Sequence, residues 1–297
     1  MCFKNVLNQL TNSKIYFDEP MKKHTGYGVG GCARYYAEID SLFSLNLLIS
    51  LSKQYKVKYK VIGNGTNILV SDLGFNGIII DTKNLNDIFF KRDQVKAMAG
   101  AKLEKLIHFA VNNKLTGLEA LSGIPATIGG AIVMNAGAFG HNISDYILTV
   151  ETLADGKIKV YDKNDCKFSY RSSRFLHKKE IVVSATFNFK NAPKEVIQAG
   201  IKSYNELRRS IQPMGRSCGS VFKNPKPISA GTLIEKAGLK GCRIGGASVS
   251  EKHANFIITS SKAKAKDVYT LIQEIKRKVK DTFGIELVEE VECVGEF

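Results

Sequence analysis

No two cysteines stand in C-x-x-C spacing, no two histidines stand four apart, and no apolar run approaches the roughly 18 residues of a membrane-spanning helix. Each absence excludes a class. The six cysteines, Cys2, Cys32, Cys166, Cys218, Cys242 and Cys293, are scattered through 297 residues. That pattern fits free thiols in a reducing cytoplasm and argues against a disulfide framework or a zinc centre. With the histidines also unpaired, no metal is expected. The first ten residues, MCFKNVLNQL, interrupt their hydrophobics with Lys, Asn and Gln instead of building a signal-peptide core, so neither export nor membrane insertion is expected. Repeats and low-complexity tracts are missing too. What is present is 44% hydrophobic and 24% charged, the composition of a globular chain with enough apolar residues for two or three domain-sized cores.

Acidic residues are in short supply, 28 against 43 Lys and Arg, for a formal net charge of +15. Such a balance raises the question of nucleic acid. The basic residues are nevertheless spread along the chain. In the densest run, KAKAKDVYTLIQEIKRKVKDTF at 262–283, Val268, Leu271, Ile272, Ile275, Val279 and Phe283 recur at helical spacing, which makes the lysines the wet face of a packed amphipathic helix. The excess charge then favours a small anionic ligand, such as a nucleotide or a diphosphate, over a nucleic acid.

The pattern along the chain is mixed α and β. Leu42, Leu45, Leu48 and Ile49 mark a helix that Asp40 or Ser41 can cap. VKYKVIG at 57–63 reads as a strand running into GNGTN at 63–67, and GIIID at 77–81 reads as another. Leu103, Leu106, Ile107, Ala110 and Val111 predict a second helix, ending near Asn112 and Asn113. Residues 147–189 are rich in strand formers, and the polar break KNAPKE at 190–195 precedes a helix carrying Val196, Ile197, Ile201, Tyr204 and Leu207. The main boundary is placed there, giving 1–190, subdivided at about 82 and 83, and 191–297.

Three stretches hold the informative glycines. GYGVGG at 26–31 satisfies the G-x-G-x-x-G dinucleotide fingerprint letter by letter. Its context does not fit, because polar MKKHT precedes it and strand-like CARYYAEI follows, whereas the fingerprint needs a strand before and a helix after. GNGTN leaves a strand as a tight polar turn, in which Gly63 and Gly65 have no side chain to block a phosphate while backbone N–H groups, Thr66 and Asn67 offer donors. The third, SGIPATIGGAIVMNAGAFG at 122–140, is dense in Gly and Ala yet keeps Ile124, Ile128, Ile132, Val133 and Met134, too apolar for a linker. Backbone passes close to something flat or bulky there. The two stretches together suggest one extended phosphate-bearing cofactor between them.

Taken in order, GNGTN, SGIPATIGGAIVMNAGAFG, YRSS at 170–173, GSVFKNP at 219–225, GCRIGGASVSEKHANF at 241–256 and the terminal VECVGEF resemble the UDP-N-acetylenolpyruvoylglucosamine reductase family. The resemblance spans nearly the whole chain. It implies an α+β fold, with a vanillyl-alcohol-oxidase (PCMH) type FAD domain of two α/β subdomains and a C-terminal α+β substrate-binding domain. It also implies non-covalent FAD, NADPH as hydride donor, an enolpyruvyl sugar nucleotide as substrate, and a place in peptidoglycan precursor synthesis. The spacing between YRSS and GSVFKNP is similar to the compact form of the family, which lacks an inserted loop with a substrate-binding tyrosine. A monomer in the cytoplasm, with no nucleic-acid or membrane partner, is expected.

Residue by residue, the resemblance assigns the cofactor to Gly63, Asn64, Gly65, Thr66 and Asn67 and to Ser122, Gly123, Ile124, Pro125, Thr127, Ile128, Gly129, Gly130 and Ala131. Arg171 matches the catalytic arginine. Hydride addition to the vinyl carbon leaves negative charge on the adjacent carbon and its carboxylate, which a guanidinium meets as a bidentate fork. Glu296 matches the carboxylate that polarises the substrate acid and needs a shared proton to do so. Ser220, held on a stiff turn, is the expected proton donor to the adjacent carbon; GSVF is not the G-x-S-x-G of a hydrolase nucleophile. Asn224 is expected on the substrate, with Arg208, Arg209, Lys223 and Asn255 toward its sugar diphosphate. The chain departs from the family at Thr259, where Asn is frequent, and at Ile211, where a polar or basic residue is common; both bear on diphosphate contacts. Two other readings of the residues stay open: a different flavin oxidase of the same superfamily, and a basic nucleic-acid-binding protein.

Overall fold

The structure, a computed structural model, describes residues 3–10, 13–91, 94–176 and 180–297. Cys2 lies outside the described residues; the other five cysteines are free thiols. Among the described residues no helix is long and apolar enough to cross a membrane, and no group of His, Cys, Asp and Glu is arranged to hold a metal ion.

The chain forms two compact units, each assembled from separate segments: 1–16, 35–64 and 77–208 in one, and 17–34, 65–76 and 209–297 in the other. In the first unit, strands Lys58–Ile62 and Phe75–Asp81 pair in parallel, with Lys58 opposite Gly77 and Ile62 opposite Asp81. They belong to a four-stranded sheet ordered Lys14–Pro20, Cys32–Glu38, Phe75–Asp81, Lys58–Ile62. Helix Leu42–Gln54 connects two of these strands and starts as the sequence dictates, with Ser41 Oγ accepting from Ser44 N at 3.1 Å. A second, five-stranded antiparallel sheet runs Lys157–Asp162, Ile147–Ala154, Ile181–Phe187, Gln94–Met98, Ile88–Lys91. Its apolar face gathers Val95, Ala97, Val150, Ala185 and Phe187 against Leu103, Leu106 and Ile107 of helix Leu103–Asn112 and Ile128 and Ile132 of the short helix Ile128–Val133. Helix Lys194–Ile211 buries Ile197 on the same core and belongs to the first unit as far as Arg208.

The second unit is built around helix Ala265–Phe283. Val268, Leu271, Ile272, Ile275 and Val279 are buried, as their spacing requires, beside Leu233 and Ile234 of helix Ala230–Lys236. The long helix begins under the Asp72 carboxylate, whose oxygens accept from Ala265 N and Lys266 N at 2.9 Å each, and ends at Gly284 with φ +68°. A three-stranded meander, Arg243–Ile244, Ala247–Val249 and Ile257–Thr259, completes the core. The C-terminal strand Glu292–Val294 pairs in parallel with Ile68–Val70, which anchors the last residues of the chain directly after the GNGTN turn.

Candidate active site

The two small-residue stretches touch. A Cβ on Gly63 would lie 2.0 Å from Thr127 Oγ1, so only glycine permits this approach. Beside it, Asn64 Nδ2 donates to Pro125 O at 2.8 Å. Thr127 is buried and caps helix Ile128–Val133, its Oγ1 accepting from Gly130 N at 3.4 Å. The two glycines that follow differ in what they do. Gly129 packs on the core, where a Cβ would meet Ala99 Cβ at 3.0 Å, whereas a Cβ on Gly130 would meet only Thr127 Oγ1, at an ordinary 3.5 Å. Gly130 is therefore not required by the protein's own packing. The first N–H groups of this helix are used within the protein, Ile128 N donating to Ala101 O and Gly129 N to Ala99 O at 2.8 Å each, so what the exposed Gly130 offers, beside a second glycine turn, is room for a bulky phosphate-bearing group to lie against the backbone. The residues fit FAD on that ground.

The YRSS turn at 170–173 is bonded to the same stretch beyond the helix. Ser169 and Ser172 exchange backbone hydrogen bonds at 3.0 and 3.2 Å and leave Tyr170 and Arg171 at the tip. Arg171 has φ +51°, a conformation that L residues other than Gly, Asn and Asp rarely adopt. Its guanidinium carbon lies 5.3 Å from the Tyr170 ring centroid. Two bonds tie this turn to the small-residue stretch: Asn135 Nδ2 donates to Ser169 O at 3.0 Å, and Ser173 Oγ donates to Val133 O at 2.8 Å. Asn135 is missing from the sequence-derived set. Its signal was an Asn within MNAG, since Asn is among the few residues that tolerate the left-handed φ of +45° found here.

Arg208, half-buried, reaches the opposite end of the stretch. Its Nε donates to Ser122 O at 3.0 Å and its guanidinium also reaches Ala120 O, packing against Gly123 and 5.2 Å from the Phe139 ring centroid. Burial lowers its pKa from the ordinary arginine value. Ser122 and Gly123, expected on the cofactor, thus sit in a loop that Arg208 holds by its carbonyls.

In the second unit GSVFKNP is strapped to the segment 255–259. Ser220 bridges Phe256, and Val221 N donates to Asn255 O at 2.9 Å. The Asn255 side chain is 2% exposed and fully committed: its Oδ1 accepts from Phe222 N at 2.9 Å and its Nδ2 donates to Phe222 O at 2.8 Å. Whatever Asn255 does for a ligand therefore runs through the loop it holds. Gly219 has φ +75°, so the residue before Ser220 must be glycine or accept strain. Lys223 is fixed through its backbone N–H to Val288 O at 2.9 Å, and Asn224 Oδ1 accepts from Ala230 N at 3.0 Å. Arg209 is exposed, and its carbonyl accepts from Lys252 Nζ.

Glu296 is exposed but not on a loose end. Ser71 Oγ donates to its carbonyl, Gly295 at φ +95° lies against Gly74 O and Ser71, and Phe297 stacks on Tyr269 with ring centroids 4.7 Å apart. Also in this unit, Gly65 has φ +63° and a Cβ there would lie 1.9 Å from His24 O, while Asn67 Nδ2 donates to Glu290 O at 3.0 Å.

Comparison with known proteins settles the family. A profile described as the C-terminal domain of UDP-N-acetylenolpyruvoylglucosamine reductase matches residues 212–294, and an FAD binding domain profile matches residues 33–161. A UDP-N-acetylenolpyruvoylglucosamine reductase from Carboxydothermus hydrogenoformans is 43% identical over 99% of this chain and 98% of its own. The chain belongs to the UDP-N-acetylenolpyruvoylglucosamine reductase family. A second such reductase, from Caldanaerobacter subterraneus subsp. tengcongensis, is 42% identical over 97% of this chain and 96% of the relative. The crystal structure of the reductase from Thermus caldophilus superposes with a TM-score of 0.81 at 33% identity, covering 96% of this chain and 100% of that one. A cholesterol oxidase mutant from Brevibacterium sterolicum, 16% identical, matches 61% of this chain with a TM-score of 0.50 and shows the fold alone. The fold of this reductase-family chain is thus the α+β architecture with a vanillyl-alcohol-oxidase type FAD domain.

Proposed function

We propose that the protein reduces UDP-N-acetylglucosamine enolpyruvate to UDP-N-acetylmuramate with NADPH, as a cytoplasmic monomer that takes a small-molecule substrate and no nucleic acid. The observation that carries this reading is the meeting of two small-residue stretches at Gly63 and Thr127, in a chain similar over its whole length to reductases of that name. Gly63–Asn67, Ser122–Pro125 and Thr127–Ala131 would hold non-covalent FAD in the domain 1–190, and 191–297 provides the substrate domain. When bound, FAD would supply the hydride chemistry between NADPH and the terminal vinyl carbon.

Everything else falls to the chain. Arg171, on its strained turn, grips the enolpyruvyl carboxylate with two parallel N–H···O bonds and holds the charge that develops there. Glu296 shares a proton with the same acid, which removes the repulsion between two bare carboxylates. Ser220 gives its hydroxyl proton to the carbon bearing the carboxylate, and solvent restores it, so one hydride and one proton are added across the double bond. Asn224, Lys223, Arg208 and Arg209 serve the sugar nucleotide, with Asn255 acting on it through the GSVFKNP loop. The test is NADPH oxidation by the purified, FAD-loaded protein with and without the enolpyruvyl sugar nucleotide. Oxidation that depends on the substrate and yields a product heavier by two hydrogens is expected; oxidation indifferent to it would overturn the reading.

A further inference from the structure

The run GYGVGG, which is not a dinucleotide fingerprint, has a position that its sequence alone does not explain. Gly26 N donates to Gly65 O at 2.9 Å. On its other side a Cβ on Gly26 would lie 2.7 Å from Ser217 O, 3.2 Å from Cys218 Sγ and 3.3 Å from Thr66 Cα. Gly26 is thus wedged between the 63–67 turn and the segment that leads into GSVFKNP. Gly28, at φ +64°, has the Arg216 side chain laid across it, with Cδ 2.9 Å from where a Cβ would stand. Between them Tyr27 is fully buried, and its carbonyl accepts from Thr259 Oγ1 at 2.5 Å.

Thr259 joins both partners. Its backbone N–H donates to Arg216 O at 3.1 Å, forming one bridge, and three residues earlier Phe256 forms the second bridge, to Ser220. The five residues from Arg216 to Ser220 are therefore strapped at both ends to 256–259, and the Thr259 hydroxyl fastens that pair of segments to Tyr27. Thr259 is buried, 6% exposed, and its hydroxyl is used on the Tyr27 carbonyl.

Resting on the reading that Ser220 is the proton donor, we propose that the Thr259 hydroxyl is a positioning group for Ser220, seating the Arg216–Ser220 segment on a floor made by Gly26, Tyr27 and Gly28. The departure from Asn at this position is then a different way of holding the loop, not a lost substrate contact. The floor touches the GNGTN turn through Gly26, so the same contact orders the proton-donor loop relative to that turn.

The experiment follows the two half-reactions separately by stopped-flow absorbance of the flavin in wild type, Thr259→Val, Thr259→Ser, Gly26→Ala and Ser220→Ala. Maleimide labelling of Cys218, read by peptide mass spectrometry in flavin-free protein, provides a readout independent of turnover. Cys218 is a buried thiol whose pKa burial pushes up to about 12, so it is sluggish while the segment is seated. Thr259→Val is expected to slow reoxidation by the enolpyruvyl substrate at least about 10-fold, to leave reduction by NADPH within about twofold, and to speed Cys218 labelling. Thr259→Ser restores all three. Gly26→Ala, which pushes on Ser217 O instead of removing a bond, reproduces the selective loss and serves where the valine variant folds poorly. Equal slowing of both half-reactions, unchanged reoxidation, or unchanged Cys218 labelling in Thr259→Val and Gly26→Ala overturns the proposal. A Ser220→Ala variant without selective loss overturns the underlying reading instead.

Discussion

Replacing Gly130 by valine separates the protein's own requirements from those of its cofactor. Nothing in the fold opposes a Cβ at that position, since its only neighbour within 4 Å is Thr127 Oγ1 at 3.5 Å. Gly130 also lies in the first turn of a helix, where glycine is the costliest ordinary residue, by up to about 1 kcal/mol relative to alanine. The flavin-free variant is therefore expected to melt at or slightly above the wild-type temperature. Binding responds in the opposite direction. A branched side chain in a space that a ligand must fill costs about 1–3 kcal/mol, the overpacking penalty of a close-packed site, which is roughly 5- to 150-fold in FAD affinity. The assay removes flavin with acidified salt, titrates FAD back while following the quenching of its fluorescence, and records thermal unfolding of each flavin-free protein. A variant that binds FAD as tightly as wild type would refute the cradle. One that loses FAD only because it no longer folds would show that Gly130 serves the protein instead. Gly65→Val is the contrasting case: with His24 O 1.9 Å from its Cβ and a left-handed φ, it should lose stability as well as flavin.

Three further outcomes are expected. Arg171→Lys keeps the charge but loses the fork and the turn geometry, lowering kcat/KM by about 10- to 150-fold, the equivalent of roughly 1.5–3 kcal/mol for a hydrogen bond to a charged group; wild-type turnover would remove Arg171 from the mechanism. Asn255→Leu strands the buried Phe222 N–H and carbonyl, at about 1–3 kcal/mol each, so urea unfolding should show a loss of roughly 2–6 kcal/mol, and an unchanged midpoint would contradict the hydrogen-bonded role. Ser220→Cys, whose thiol also donates a proton, should recover part of the reoxidation rate that Ser220→Ala loses by about 100- to 10,000-fold; equal loss of flavin reduction in the alanine variant would make Ser220 structural.

Periodicity made the long elements legible. Helices Leu42–Gln54, Leu103–Asn112 and Ala265–Phe283 stand where the apolar spacing places them, because each buries one stripe of side chains; Lys194–Ile211 is also a helix as expected, but it buries only Ile197 and leaves Val196 and Leu207 exposed. The short pieces were not legible. Helix Ala230–Lys236 and the meander strands of two and three residues are too brief to show a period, and tertiary contact decides their conformation. Contact across distant segments was equally hidden: nothing local in the sequence says that Thr259 meets Tyr27 or that Ser71 meets Glu296. The glycines differ in what requires them. Gly63 and Gly65 are there to let backbone approach, yet Gly65 is required by His24, a neighbour within the protein, whereas Gly130 has no such neighbour. Equally, nothing local in the sequence marks compact units that each collect three separate segments.

The most direct measurement of the central claim is anaerobic single turnover. The FAD-loaded protein is reduced with one equivalent of NADPH, mixed with one equivalent of UDP-N-acetylglucosamine enolpyruvate without dioxygen, and followed by flavin absorbance and by mass spectrometry of the sugar nucleotide. The account expects the flavin to reoxidise with conversion of the enolpyruvyl substrate to UDP-N-acetylmuramate in equal amount. A flavin that stays reduced until dioxygen is admitted, with the substrate recovered intact, would contradict it and point to an oxidase on the same fold.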